Sequence, residues 1–132
     1  MLFRSAVSLV PNSTSKIQVT ISGVYNFQYT GQVLSSSASS KTIYLWIKRN
    51  GTDIGYSTRA KTVNINNGYV DVSWNFDIDL AAGEYIEMQA AVTDTNLKLD
   101  AVAATAPHPG IPSSVMSVNF IAPLPTPRPV AP

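Results

Sequence analysis

Few residues in this sequence could carry acid–base or metal chemistry. The chain contains one histidine, eight carboxylates and no cysteine. His108 stands between two prolines in a segment expected to form a loop. A catalytic histidine needs an oriented partner, and the spacing offers none. Without cysteine there is neither a thiolate nucleophile nor a zinc–thiolate site. We therefore expect a protein that is not an enzyme and that holds no cofactor.

The spacing of the acidic residues is more typical of an exposed strand face than of a metal site. Asp71, Asp77 and Asp79 occupy alternate positions of one expected strand, so their side chains share a face. Such a row could hold a hard cation, but the loop and glycine of a calcium motif are missing. A solvated strand face is the simpler interpretation. The run from Asp94 to Asn96 is typical of a turn.

The composition of the chain argues against two classes of partner, nucleic acids and membranes. A chain of 132 residues is the size of one domain. Only 13% of its residues are charged and its formal net charge is +1, so no strong field attracts nucleic acid or an anionic membrane. No segment approaches the roughly 20 apolar residues of a membrane span. We expect neither nucleic acid nor a membrane among its partners.

The segment 43–54 carries the strongest structural signal. Asn50 and Gly51 form the preferred pair for a tight hairpin turn, where both residues need positive φ. On the incoming strand one face carries Ile43, Leu45 and Ile47, and the other carries Tyr44 and Trp46. A strand with large apolar groups on both faces is expected to be covered on both. We predict that Tyr44 and Trp46 contribute to a subunit interface; the alternative is an exposed pair or one covered by a loop.

Period-two alternation recurs along the chain and is typical of strands. It is clearest at 70–80, where every even position is apolar and the odd positions between them are polar. No helix is expected, and the serine-rich stretch 35–40 should be a mobile loop. Eight or so strands with regular turns predict an all-β sandwich, jelly roll or barrel. The predicted strands are 7–10, 17–21, 24–33, the strand from residue 43 into the hairpin, 52–56, 58–65, 70–80, 85–93, 97–103 and 115–121.

The last segment has proline at nearly every second position. Such spacing removes the backbone donors that a sheet needs and favours an extended polyproline conformation. We divide the chain into a β domain at 1–121 and a proline-rich extended tail at 122–132. The tail is either a solvated linker or an arm that lies in a groove on a neighbouring protein. The docking residues would be Pro123, Leu124, Pro125, Pro127, Arg128 and Pro129.

Three segments resemble the domain shared by tumour necrosis factor and the globular heads of complement-type proteins. They are GVYNFQY at 23–29, KRNGT at 48–52 after Trp46, and LAAGEYIEM at 80–88. The resemblance implies an antiparallel jelly-roll sandwich of about 8–10 strands that forms a homotrimer used in binding or assembly. A full first strand is not evident before Val7, so a neighbour could complete one sheet edge.

Together with the Trp74 strand, TDTN at 93–96 and PHPGIPS at 107–113, these segments are similar to short structural proteins of tailed bacteriophages, particularly those of marine bacteria. This resemblance implies a virion protein on the capsid surface, a trimeric decoration or cement protein that contacts the major capsid protein or a neighbouring virion protein. One alternative is a fibre or spike module that binds a host-surface glycan in a groove between loops 35–40 and 107–112. Another is a secreted bacterial adhesion or matrix-forming subunit.

Overall fold

The structure is a computed structural model that describes residues 7–10 and 15–124. All regular elements in this part of the chain are β-strands, and they form two antiparallel sheets. The all-β prediction is therefore confirmed. The strands are β1 (Val7–Leu9), β2 (Ile17–Val19), β3 (Gly23–Ser35), β4 (Lys41–Arg49), β5 (Thr52–Asp53), β6 (Arg59–Val63), β7 (Gly68–Leu80), β8 (Tyr85–Val92), β9 (Leu97–Leu99) and β10 (Ser114–Ala122).

The first sheet has six strands in the order β1-β2-β8-β4-β5, with β6 also paired to β4. Strand β8 occupies one edge of β4, whereas β5 and β6 share the other edge end to end. The second sheet has four strands, in the order β10-β3-β7, with β9 beside the end of β3. Apart from the β4–β6 run, successive strands from β2 to β9 alternate between the two sheets, so the chain repeatedly crosses the sandwich.

The core lies between the sheets and follows the alternation in the sequence. From the second sheet, Tyr25 and Phe27 of β3 are fully buried, and the Phe27 ring stacks on Phe76 with centroids 5.1 Å apart. From the first sheet, Leu45 and Ile86 are about 1% exposed. Burying each such side chain contributes about 1.5–3 kcal/mol. The predicted core face of β7 is confirmed, since Val72, Trp74, Ile78 and Leu80 are all buried.

Three polar side chains are also buried, and each stabilises a turn. The Lys41 ammonium donates hydrogen bonds to the carbonyl oxygens of Ser37 and Ser39 (2.9 Å for Ser39). Ser35 donates to the Ile65 carbonyl, and Glu84 accepts from the Ala81 amide at 2.7 Å. The stretch expected to be a mobile loop is therefore tied to the sandwich, because Ser35 belongs to β3 and Lys41 bonds the loop carbonyls.

Two predicted strands end three or four residues early, whereas the ends of the other strands agree with the prediction to within two residues. The return strand predicted at 52–56 ends at Asp53, because the backbone turns at Gly55 and Tyr56, where Tyr56 has a φ of 61°. Ser57 stabilises this turn by donating to the Ile54 carbonyl at 2.8 Å. The strand predicted at 97–103 likewise ends at Leu99. The chain then forms a small exposed hairpin with bridges between Val102 and Ile111 and between Thr105 and His108. No helix in the described part of the chain is long and apolar enough to span a membrane.

Candidate interaction surface

The aromatic pair of β4 lies on the outer face of the first sheet, as the alternation predicts. Ile43, Leu45 and Ile47 point into the core and are 1–2% exposed. Tyr44 points outward and is 39% exposed, and Trp46 beside it is half-buried. The sandwich thus covers one face of β4 and leaves the other partly open. We call the surface around Tyr44 and Trp46 the aromatic patch.

Small neighbours keep the patch accessible. Across the ladder to β8, Ala91 stands opposite Tyr44 and Gln89 opposite Trp46. On the other side, Ala60 of β6 stands opposite Tyr44. Two alanines flanking a tyrosine cannot cover its ring, so Tyr44 rises above its surroundings. Such a ring offers a large apolar area at low cost in side-chain entropy, as aromatic residues at protein interfaces do.

Trp46 is held in place by a polar contact that the sequence did not reveal. Its indole N–H donates a hydrogen bond to the Asp53 carboxylate over 2.8 Å. Asp53 lies on β5, directly across the ladder from Lys48, whose Nζ is 3.9 Å from the same carboxylate. The ion pair is largely exposed and contributes little by itself. The hydrogen bond fixes the tilt of the indole and leaves its apolar ring facing outward.

The turn that brings Asp53 back beside Trp46 is anchored on the start of the neighbouring strand β8, at the same end of the sheet. Asn50 and Gly51 adopt φ angles of 48° and 82°, which confirms the predicted hairpin tip. The Asn50 side-chain oxygen accepts a hydrogen bond from the Tyr85 amide at 3.0 Å, and the Asn50 amide donates to the Tyr85 carbonyl at 3.0 Å. The Asn50 side-chain nitrogen Nδ2 also donates to the carboxylate of the buried Glu84 at 3.5 Å. The β4–β5 turn is therefore anchored on the turn between β7 and β8.

Only the start of the predicted docking arm falls in the described part of the chain. Pro123 is exposed and Leu124 is half-buried just after β10. Pro125, Pro127, Arg128 and Pro129 lie outside the described residues. The docking role of the arm stays a prediction.

Two of the clefts in the structure border the space between the sheets, and the sequence predicted neither of them. The first, of about 230 Å³, lies between the loop at Ile54–Ser57 and β7. Its lining includes the exposed Tyr56 and Arg59, and its base includes the buried Trp74, over which the Arg59 guanidinium lies at 6.0 Å. The second, of about 280 Å³, is mainly apolar and lies beside β10; Tyr29, Met88 and Met116 contribute to it. Neither cleft is lined by the loops 35–40 and 107–112 that were expected to frame a glycan groove.

The titratable side chains singled out in the sequence are mostly dispersed on the surface. His108 is exposed in the small hairpin, with its Nδ1 2.8 Å from the Pro109 carbonyl oxygen. Asp77 accepts a hydrogen bond from the Asn26 amide at 2.8 Å. Asp94 accepts from the Asn96 backbone at 2.8 Å, which is the turn role expected for it. Within residues 7–10 and 15–124, no three His, Asp or Glu side chains are grouped as metal ligands.

One titratable group in the core is clearly perturbed. Burial raises the pKa of the Tyr25 phenol above its ordinary value of 10.0. Its hydroxyl donates to the Ile21 carbonyl at 2.6 Å. Since this tyrosine is enclosed between the sheets, its role is to fill and orient the core.

No family model and no curated protein sequence matches the chain.

Proposed function

We propose that the chain is a non-enzymatic structural protein of a bacteriophage virion, a homotrimeric decoration or cement protein on the capsid surface. The observation that carries this proposal is the aromatic patch: an exposed Tyr44 beside a fixed Trp46, on the outer face of the first sheet. Aromatic side chains of this kind dominate the binding energy of many protein interfaces. The resemblance to phage structural proteins supplies the biological setting.

The strand order supports assigning the sandwich to the jelly-roll class. In a jelly roll, successive strands alternate between two antiparallel sheets and pair with partners distant in sequence. Here β2, β8, β4 and β6 are neighbours in one sheet, and β10, β3 and β7 in the other. A jelly roll has two four-stranded sheets, and the second sheet here has four strands, with β9 and β10 pairing different parts of β3.

A trimer suits the position of the patch. It lies on the broad face of the first sheet, so each copy can present Tyr44 and Trp46 to a different surface of the next copy. Such head-to-tail contacts close into a ring when the rotation is one third of a turn. The polar groups near the patch, Lys48, Asp53 and Glu87, would form the rim that surrounds an interface core.

The surface chemistry favours assembly over catalysis. His108 is exposed and bonded to its own loop, Asp71 is exposed, and Asp77 accepts a hydrogen bond from the Asn26 amide. A reaction centre needs a nucleophile or base oriented by a third group, and these residues do not form one. The extended arm from Pro123 onward would engage the major capsid protein or an adjacent virion protein, as expected from its proline spacing.

The alternative with a specific observation in its favour is a glycan-binding module of a fibre or spike. The cleft beside Trp74 combines the exposed ring of Tyr56 with the charged groups of Arg59 and Asp77. Its volume is below the roughly 300–1,000 Å³ of pockets that enclose drug-sized ligands, so it would accept a single sugar ring. Binding of a glycan array by wild-type protein but not by Tyr56→Ala would favour this alternative.

The oligomeric state tests the patch. Light scattering of the purified chain at micromolar concentration should give three times the chain mass of 14.2 kDa, or a multiple of that trimer. Tyr44→Ala should weaken each subunit contact of the trimer by about 30-fold, the effect of losing about 2 kcal/mol. Tyr69→Ala is the matched control, because Tyr69 is 50% exposed on the other sheet. A wild-type monomer, or equal effects of the two substitutions, would contradict the proposed trimer interface.

A further inference from the structure

The free edge of β10 has the properties of a pairing site. Within the described residues, no strand pairs with β10 on the side away from β3. β10 is nine residues long, and Ser114–Phe120 run in unbroken register with β3. The backbone N–H and C=O groups of every second residue of β10 therefore point away from β3. Such a row of backbone groups is a template for pairing with another strand unless the side chains of the edge strand oppose it.

The two edges of the second sheet differ in how they are protected. The opposite edge, β7, carries Asp71, Asp77 and Asp79 on its outer face. Charged side chains on an edge strand oppose pairing with a second strand, because the charges of the two chains would lose water and repel. Strand β10 has no charged residue and no proline in Ser114–Ala122. The sequence therefore discourages pairing at β7 and permits it at β10.

The permitted edge is also apolar. Val115 and Ile121 are each 52% exposed, and Phe120 is 44% exposed. The apolar cleft of about 280 Å³ opens beside the same strand, with Met116 in its wall. Ile121 is the extra residue of a β-bulge and has no partner on β3. A strand added here would cover apolar area that the isolated chain leaves in water.

The residue order of β10 identifies the partner. When two copies of this strand are placed antiparallel about a two-fold axis at Val118, Val115 faces Ile121 and Met116 faces Phe120. Ser117 then faces Asn119. Between residues 115 and 121, apolar residues therefore meet apolar residues and polar residues meet polar ones, on both faces of the ladder. A strand that pairs with itself needs this symmetry, whereas a strand that receives a different partner does not.

We infer that β10 pairs with β10 of a second copy of this chain, in antiparallel orientation about Val118. The contact joins the second sheets of two chains into one continuous sheet. It goes beyond the proposed function, because it uses none of the residues of the aromatic patch, which lies on the first sheet. A trimer formed through the patch presents three such edges, so trimers are linked pairwise to one another.

A charge-reversal pair tests both the contact and its register. Val115→Lys combined with Ile121→Lys places like charges opposite each other at both ends of the paired strands. Val115→Lys combined with Ile121→Glu places opposite charges there. All substituted positions are half exposed, so both variants retain the core. Sedimentation velocity between micromolar and several hundred micromolar protein measures the linked species, and circular dichroism checks the fold.

Wild type and the Lys/Glu variant should form linked species, and the Lys/Lys variant should link at least tenfold more weakly. Equal linkage in the Lys/Lys variant and wild type would overturn the inference, as would a Lys/Glu variant as weak as Lys/Lys. Wild-type trimers that never associate further would overturn it while leaving the proposed trimer intact. Wild-type dimers that the Lys/Lys variant separates would support the β10 contact and contradict the trimer.

Discussion

The anchored turn at Asn50 gives the most quantitative prediction of the structure. Asn50 adopts a φ of 48°, its side-chain oxygen accepts the Tyr85 amide at 3.0 Å, and its side-chain nitrogen donates to Glu84 at 3.5 Å. Asn50→Gly removes the side-chain hydrogen bonds, of which the longer one to Glu84 is weak, but tolerates the positive φ, so it should cost about 1 kcal/mol. Asn50→Ala removes the bonds and also places a Cβ in the left-handed region. That second effect costs about 1–2 kcal/mol more.

The two substitutions should therefore have graded effects on the free energy of unfolding. Asn50→Ala should lower it by about 2–3 kcal/mol and Asn50→Gly by about 1 kcal/mol. Urea unfolding followed by the fluorescence of the two tryptophans measures both losses in one assay. The slope of the free energy against urea should be unchanged, because the surface exposed on unfolding stays the same. Equal losses in the two variants would refute the role of positive φ. A neutral Asn50→Gly would refute the role of the Tyr85 hydrogen bond.

Two further predictions concern the core. Because burial raises the pKa of Tyr25, the folded chain keeps this proton to a higher pH than the unfolded chain, and stability is lost as pH rises above about 10. The wild-type advantage over Tyr25→Phe should thus shrink between pH 9 and 11 in urea titrations; parallel pH curves would contradict this. At Gly23, an added Cβ would lie 2.4 Å from the Phe120 ring and 2.8 Å from the Ala122 oxygen. Gly23→Ala should therefore cost about 1–3 kcal/mol by urea unfolding. Gly55→Ala, with no atom within 4 Å of its Cβ, should change little, and equal losses would refute the packing argument.

Period-two alternation predicted the long strands well because each has one face in the core. The strand predicted at 70–80 is found at Gly68–Leu80, and the segment 24–33 lies within β3. The hairpin tip was also predictable, since Asn-Gly at 50–51 satisfies a backbone requirement that few other residues meet. The alternation and the Asn-Gly pair are local sequence patterns. They predict the structure correctly here because tertiary packing buries the same faces that the alternation makes apolar.

The features that the sequence did not predict depend on contacts between distant segments. Nothing in the sequence around Tyr56 predicts its positive φ. Its turn is stabilised by the Ser57 hydroxyl, which donates to the Ile54 carbonyl and accepts from the Ile47 amide of β4. Lys41 and Glu84 are charged residues that sequence reasoning places on the surface. They are buried because each satisfies the backbone groups of a turn.

The candidate interaction surface was predicted in part. The outward direction of Tyr44 and Trp46 follows from alternation, but the Trp46–Asp53 hydrogen bond depends on the register of β5 against β4. The absence of charge in Ser114–Ala122 can be read from the sequence. Its importance emerges only from the pairing order, which places β10 at the edge of the second sheet.

Binding to empty capsids tests the proposed function most directly. The capsids should be assembled from the major capsid protein encoded in the same genome, and co-sedimentation should be compared for the full chain and a chain ending at Ala122. The proposal predicts that the full chain binds saturably in multiples of three, and that removing residues 123–132 weakens binding at unchanged oligomeric state. A trimer that does not bind these capsids, with or without its arm, would contradict the proposal that the chain decorates them.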